Sequence, residues 1–136
     1  MDRRRLGILI LLSILTSLNA LWMILFPFHW YNHVPAHVPD FGPYNQHFVR
    51  DFGCAFLLVG IGILYGVINK KFRQPSILFA LGFYGLHALT HIYDTTIGTI
   101  QAAHWLIDFP TTYMPVLLLI WIARTKNPAK LKFNPM

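Results

Sequence analysis

The chain has 136 residues, of which 55% are hydrophobic and 12% charged, with a formal net charge of +6. A soluble domain carries roughly 25% charged residues, so the composition excludes an ordinary soluble domain, and the length allows one domain. The positive charge argues against nucleic acid once its placement is read, because it lies in short clusters beside apolar runs, where basic residues act as topology signals.

The first apolar run extends from Leu6 to Phe28, follows Arg3, Arg4 and Arg5, and is closed by Pro27. At 1.5 Å per residue it reaches about 34 Å, enough to cross a hydrocarbon core of roughly 30 Å. A signal peptide ending at Leu18-Asn19-Ala20 is the competing reading. Leu suits the −3 position poorly and the apolar run continues to Leu25, so an uncleaved span is expected. Residues 29–46 form a loop with Pro35, Pro39 and Pro43, which forbid a continuous helix. An ordered lid or cap with short turns is expected there.

Further spans are expected at about 47–68, 76–98 and 105–123, followed by a tail at 124–136. Lys70, Lys71 and Arg73 separate the second and third, and Arg124, Lys126, Lys130 and Lys132 follow the fourth. With Arg3 to Arg5, every basic cluster shares one side if both termini are cytoplasmic, Arg50 being the exception. The expected architecture is therefore an all-α, four-helix transmembrane bundle forming one membrane domain. It belongs in a bacterial inner membrane, with its polar residues toward the periplasmic or extracellular side. The short third connection makes its helices antiparallel neighbours. Gly60, Gly62 and Gly66 include one G-x-x-x-G, and with Gly82 and Gly85 they permit close helix approach or simply reflect the glycine content of membrane helices.

Span three holds the most informative pattern: Tyr84, His87, Thr90, His91, Asp94 and Thr95. At about 100° per residue, His87, His91 and Asp94 share a narrow face flanked by Tyr84 and Thr90. Span two opens with His47, Arg50, Asp51 and Cys54, and span four with His104, Asp108, Thr111 and Pro115. Three helices thus bring His and Asp to similar depth. Ionisable groups there are costly, face the bundle interior and mark functional paths. Pro110 and Pro115 are expected to bend span four and free backbone carbonyls.

His-x-x-x-His on one helix has a metal-chelating spacing. Mixed nitrogen and oxygen donors suit Zn, Cu or Fe, and the lone Cys54 rules out a thiolate cage. His47, His87, His91 and His104 are the candidate metal ligands, with haem ligation by two His a lesser alternative. A buried His/Asp/Arg network fixing helix register, and a proton or cation relay, remain open beside the metal reading. His29, His33 and His37 offer either a loop metal site or ordinary interfacial residues. Arg50 is expected to pair with Asp40, Asp94 or Asp108 rather than with Asp51.

The stretch Gly42-Pro43-Tyr44-Asn45-Gln46-His47-Phe48-Val49-Arg50-Asp51-Phe52-Gly53 resembles a G-P-F/Y-N-x-H-F-V-R-D-I/F-G motif of small bacterial four-span membrane proteins with no established activity. The resemblance implies that Asn45, His47, Arg50 and Asp51 act together as a polar network. The layout is also loosely similar to DoxX-like oxidoreductase subunits.

The leading expectation is metal-supported oxidoreductase chemistry on a small lipophilic or quinone-like substrate, with Tyr84, Asp94 and Asp108 in catalytic roles. The rivals are a non-enzymatic metal-binding protein, a proton or cation relay, and a structural accessory subunit. Expected partners are the lipid bilayer and either further copies of the chain or a larger membrane complex.

Overall fold

The computed structural model describes residues 1–124. Helix α1 runs Arg3–Leu25 and is followed by a short α2, Pro27–His33. A 3-10 turn at Val38–Phe41 leads to α3, Gln46–Ile68, and α4, Arg73–Thr96. A one-turn α5, His104–Ile107, a π-helical turn at Phe109–Tyr113 and α6, Met114–Ala123, complete the described chain. Among the described residues there is no strand. Helices α1, α3 and α4 are long and apolar enough to cross a membrane, while the fourth apolar stretch, Phe109–Ala123, is shorter.

The N-termini of α1 and α3 are capped by side chains. Asp2 accepts from the Arg5 amide at 2.9 Å, and this bond holds its carboxyl below the usual range. Asn45 accepts from the Phe48 amide at 3.0 Å and so starts α3. The first helix ends three residues earlier than the apolar run, because Phe26 leaves helical geometry before Pro27 opens α2. The expected loop thus begins with a helical turn and a half. Its later part follows the prolines as expected.

Two arginines close helices at their other ends, where backbone carbonyls lack partners. Arg73 donates Nε to the Gly66 carbonyl at 3.1 Å and a terminal nitrogen to Val67 at 2.8 Å. Arg50 donates Nε to the Ile24 carbonyl in the last turn of α1 at 3.2 Å. Among the described residues no aspartate forms an ion pair with Arg50, so the expected Arg–Asp clamp is replaced by a cation on a helix C-terminus.

Helix α1 packs along α3, α3 against α4, and α4 against α6. The α1–α3 contact is antiparallel and intimate. A Cβ on Gly53 would meet Met23, Ile24 and the Ala20 carbonyl, and one on Gly60 would collide with Ser17. Ser13 donates across this seam to the Gly60 carbonyl at 2.9 Å. Gly66 instead admits Ser76 and Arg73 of α4, whereas Gly62, Gly82 and Gly85 face no close neighbour. The useful glycines are thus Gly53, Gly60 and Gly66 rather than the G-x-x-x-G pair as such. Leu9, Leu12, Ala20, Val59, Ile63, Ile77, Ala80, Leu119 and Ile122 fill the core.

The same packing gathers Arg3 to Arg5, Lys70, Lys71, Arg73 and Arg124 at one end, where the Arg5 guanidinium lies 4.5 Å over Trp121. The basic residues Lys126, Lys130 and Lys132 fall outside the described residues. The His residues and every Asp except Asp2 lie toward the opposite end, together with Arg50. Around the perimeter Leu58, Ile61, Leu78, Phe79, Leu86, Leu89 and Leu117 are exposed. So much exposed apolar surface needs a covering medium.

Candidate functional site

The site begins with a defect in a helix. Pro110 has no amide proton, so the regular ladder cannot run from α5 into α6. The chain widens instead into a π turn, in which the Asp108 carbonyl accepts from Thr112 at 2.8 Å and Tyr113 at 3.4 Å. Such turns concentrate at functional positions. Asp108 stands at its head and is fully buried, as is His104 one turn before it.

An unpaired carboxylate at such a position is prohibitively costly. Asp108 is not unpaired. Its Oδ2 lies 2.7 Å from His91 Nδ1 on α4, and its Oδ1 lies 3.2 Å from His104 Nδ1. The second nitrogen of His104, Nε2, lies 3.1 Å from Oδ2 of Asp40 in the 3-10 turn. The order is therefore Asp40, His104, Asp108, His91, a continuous line of alternating carboxylate and imidazole. Phe41 covers it, with its ring 4.9 Å from that of His91 and 4.8 Å from that of His104.

An imidazole that meets carboxylates at both nitrogens donates at both when it is charged. Burial alone would push the His104 ring below its ordinary value. The hydrogen bonds to Asp40 and Asp108, with their negative charges, outweigh it and hold the ring above that value. His91 uses Nδ1 on Asp108, which leaves Nε2 as a proton acceptor, in the way a carboxylate orients a catalytic imidazole.

His91 lines a cavity of about 670 Å³ enclosed by α1, α2, α3, α4, α6 and the 34–45 segment. Its wall is mainly apolar and aromatic, including Trp22, Met23, Trp30, Phe52, Phe56 and Leu118. The polar groups are few: Thr16, Asn19, Tyr84, His87, His91, Thr111 and Thr112 among them. Tyr84 is buried and its hydroxyl lies 2.6 Å from Thr16 Oγ1. The His87 ring sits 4.6 Å from the His91 ring and is boxed by Phe52 and Phe56. Leu11, Leu15, Leu18 and Met114 line the cavity and are also exposed, so it opens sideways between α1 and α6.

The four candidate metal ligands do not come together. His87 and His91 are neighbours, but His104 has both nitrogens committed to carboxylates. His47 lies on the exposed side of α3, where it meets Asp51 at 3.2 Å. The physical reason is helical phase: His47 is about 200° from Val49, the residue that turns inward. Among the described residues no three His, Cys or Asp side chains stand together as ligands of an ion.

The other expectations divide. Asp108 is central and Tyr84 lies on the cavity wall. Asp94 is not in the line, and its carbonyl receives the Thr99 and Ile100 amides at the end of α4. Asn45, His47, Arg50 and Asp51 form no joint network, serving instead as a helix cap, an exposed pair and a carbonyl cap. In the loop, Trp22 Nε1 donates to His29 Nδ1 at 3.0 Å. Neutral His29 therefore keeps its proton on Nε2 and has no free lone pair for an ion. His33 stacks on it with centroids 4.2 Å apart, while His37 adopts a left-handed backbone with φ 49°.

Asp40 and Thr16 were not among the expected site residues. Thr16 carried a signal, since Ser13, Thr16 and Ala20 recur at helical spacing along α1. Asp40 carried none, because only the fold of the cap brings it to His104. Compared with family models, curated proteins and solved structures, the chain has no significant match.

Proposed function

We propose that this protein is a four-helix membrane bundle that binds a small lipophilic molecule bearing one protic or carbonyl group, of the phenol or quinone class. Both termini lie on the cytoplasmic side, and the Asp40–His91 line faces the outer side. The exposed apolar perimeter and the clustering of basic residues at one end support this placement. The observation that carries the function is the sideways-opening apolar cavity with His91, oriented by Asp108, on its wall. Ligand sites are mostly apolar clefts with a few well-placed polar groups. A ligand entering from the bilayer brings its ring to the aromatic wall. The hydroxyl proton of a phenol then meets His91 Nε2, whereas the carbonyl of a quinone accepts from the Tyr84 hydroxyl. The chemistry available to the chain's own residues is reversible proton exchange with a bound phenol.

Tryptophan fluorescence tests this. Trp22 and Trp30 line the cavity, whereas Trp105 and Trp121 do not. A short-chain quinone added to purified protein in nanodiscs is expected to quench saturably. The quenching should vanish in a Trp22→Phe/Trp30→Phe double variant and persist in Trp105→Phe/Trp121→Phe. Quenching shared evenly by all four would mean partitioning into lipid and defeat the proposal. Stoichiometric metal in the purified protein would replace it with a metal-centre reading.

A further inference from the structure

The line through His104 has an exposed end and a cavity end. The Asp40 side chain is 37% exposed, His104 and Asp108 are 0% exposed, and His91 is 13% exposed and lines the cavity. No water-filled route is needed between these ends, because each member touches the next at 2.7–3.2 Å. A structural clamp needs only one such bond. Here both nitrogens of His104 and both oxygens of Asp108 are engaged in series.

We propose that Asp40, His104, Asp108 and His91 form a proton relay that couples the protonation of the cavity ligand to the aqueous phase beside Asp40. The inference rests on the ligand-binding reading above and adds a direction to it. The resting line holds protons on His91 Nδ1 and on both nitrogens of His104, with Asp40 and Asp108 ionised. When the ligand gives its hydroxyl proton to His91 Nε2, the Nδ1 proton moves to Asp108 Oδ2. His104 then passes its Nε2 proton to Asp40, which releases it to water. One proton leaves the ligand and one appears outside. The line has a net charge of about −1 before and after, and passes through about 0 while it holds the extra proton. It is left with Asp108 protonated and His104 neutral. The reverse sequence returns a proton to the ligand. No electron transfer is involved.

The groups that meet this line are consistent with such traffic. His87 adjoins His91 on α4, Tyr113 lies beside Asp108, and Phe41 shields the middle. Among the described residues no Lys or Arg forms an ion pair with Asp40 or Asp108, so neither carboxylate is locked in its ionised form by a fixed cation.

A chromophoric ligand reads the relay. An alkyl nitrophenol, whose phenolate absorbs visible light, is bound at saturation to the full chain in nanodiscs and subjected to a stopped-flow pH jump. In the native protein the bound phenol should ionise in a fast phase. Asp40→Asn keeps the hydrogen-bonding shape but cannot carry the proton, and His104→Asn cuts the line at its middle. Each should slow that phase by about a hundredfold, the low end of what a positioned acid–base group supplies. Asp40 is partly exposed, so its variant guards against the case in which the His104 variant fails to fold. An unchanged rate in Asp40→Asn with probe bound overturns the relay and leaves the binding reading intact. Failure of the nitrophenol to bind native protein, seen as no quenching of Trp22 and Trp30, overturns both.

Discussion

The Tyr84 hydroxyl lies 2.6 Å from Thr16 Oγ1, joining α4 to α1 across the cavity. The backbones of these two helices do not otherwise pack against each other, because α3 stands on one side of the gap and α6 on the other. The cavity exists because this pair bridges the space with side chains instead of closing it. The bond therefore has a structural duty as well as a place on the binding wall.

Tyr84→Phe should destabilise the protein modestly. Hydrogen bonds between membrane helices average about 0.6 kcal/mol, with a ceiling near ~1.7 kcal/mol. A double-mutant cycle with Thr16→Val, followed by reversible unfolding in mixed micelles, isolates the pair. A coupling energy indistinguishable from zero would show that the two hydroxyls are satisfied separately.

Gly60→Ala should be far more damaging than Gly82→Ala. A Cβ at position 60 collides with the Ser17 side chain and lies 3.1 Å from the Ser17 backbone nitrogen, whereas position 82 has nothing within 4 Å. Forcing α1 off α3 should cost about 1–3 kcal/mol. The Gly82 change should be neutral or mildly stabilising, by up to about 1 kcal/mol from helix propensity. Thermal unfolding of the two variants side by side checks the contrast, and equal midpoints would contradict the packing described.

The hold of the cap on α5 should weaken in alkali. The His104 ring lies above its ordinary value of 6.5 in the folded state. Its contribution is therefore complete below about pH 6.5 and is lost as pH rises through the higher folded value. The Asp40 and Gly42 amides, which donate to His37 and Pro39, report on the cap. Their hydrogen-exchange protection, corrected for intrinsic rates, should fall at high pH in native protein and lose that pH dependence in His104→Phe.

His47→Ala and Asp51→Ala should change little. The pair is exposed, with side chains 87% and 64% accessible. Exposed ion pairs contribute about 0–1 kcal/mol. Quinone quenching of Trp22 and Trp30 should be unaltered in both variants, and loss of quenching would place His47 in the site after all.

The legible part of this protein is its one-dimensional chemistry. The long apolar stretches, and Tyr84, His87 and His91 on one helical face, were readable, because helical phase depends on spacing alone. The π turn was half-readable. Pro110 and Pro115 announced a break, but its form depends on where Thr112 and Tyr113 find acceptors. His47 misled because its spacing to Asp51 is correct for a pair, while the face on which that pair falls is set by Val49, Gly53 and Phe56 turning inward.

Composition and periodicity by themselves determined that the described chain is helical, that three helices are long and apolar enough to cross a membrane, and that basic and acidic residues, Asp2 and Arg50 apart, separate to opposite ends. Only the tertiary structure decided which His and Asp meet. Asp40 reaches His104 across 64 positions, and His91 reaches Asp108 across 17. Such contacts depend on how a proline-rich cap and a widened turn fold back onto α4. Local propensity carries no information about that distance, whereas burial does. Once Asp108 is taken out of water its charge must be matched, and the two imidazoles brought beside it by the packing are the groups that match it.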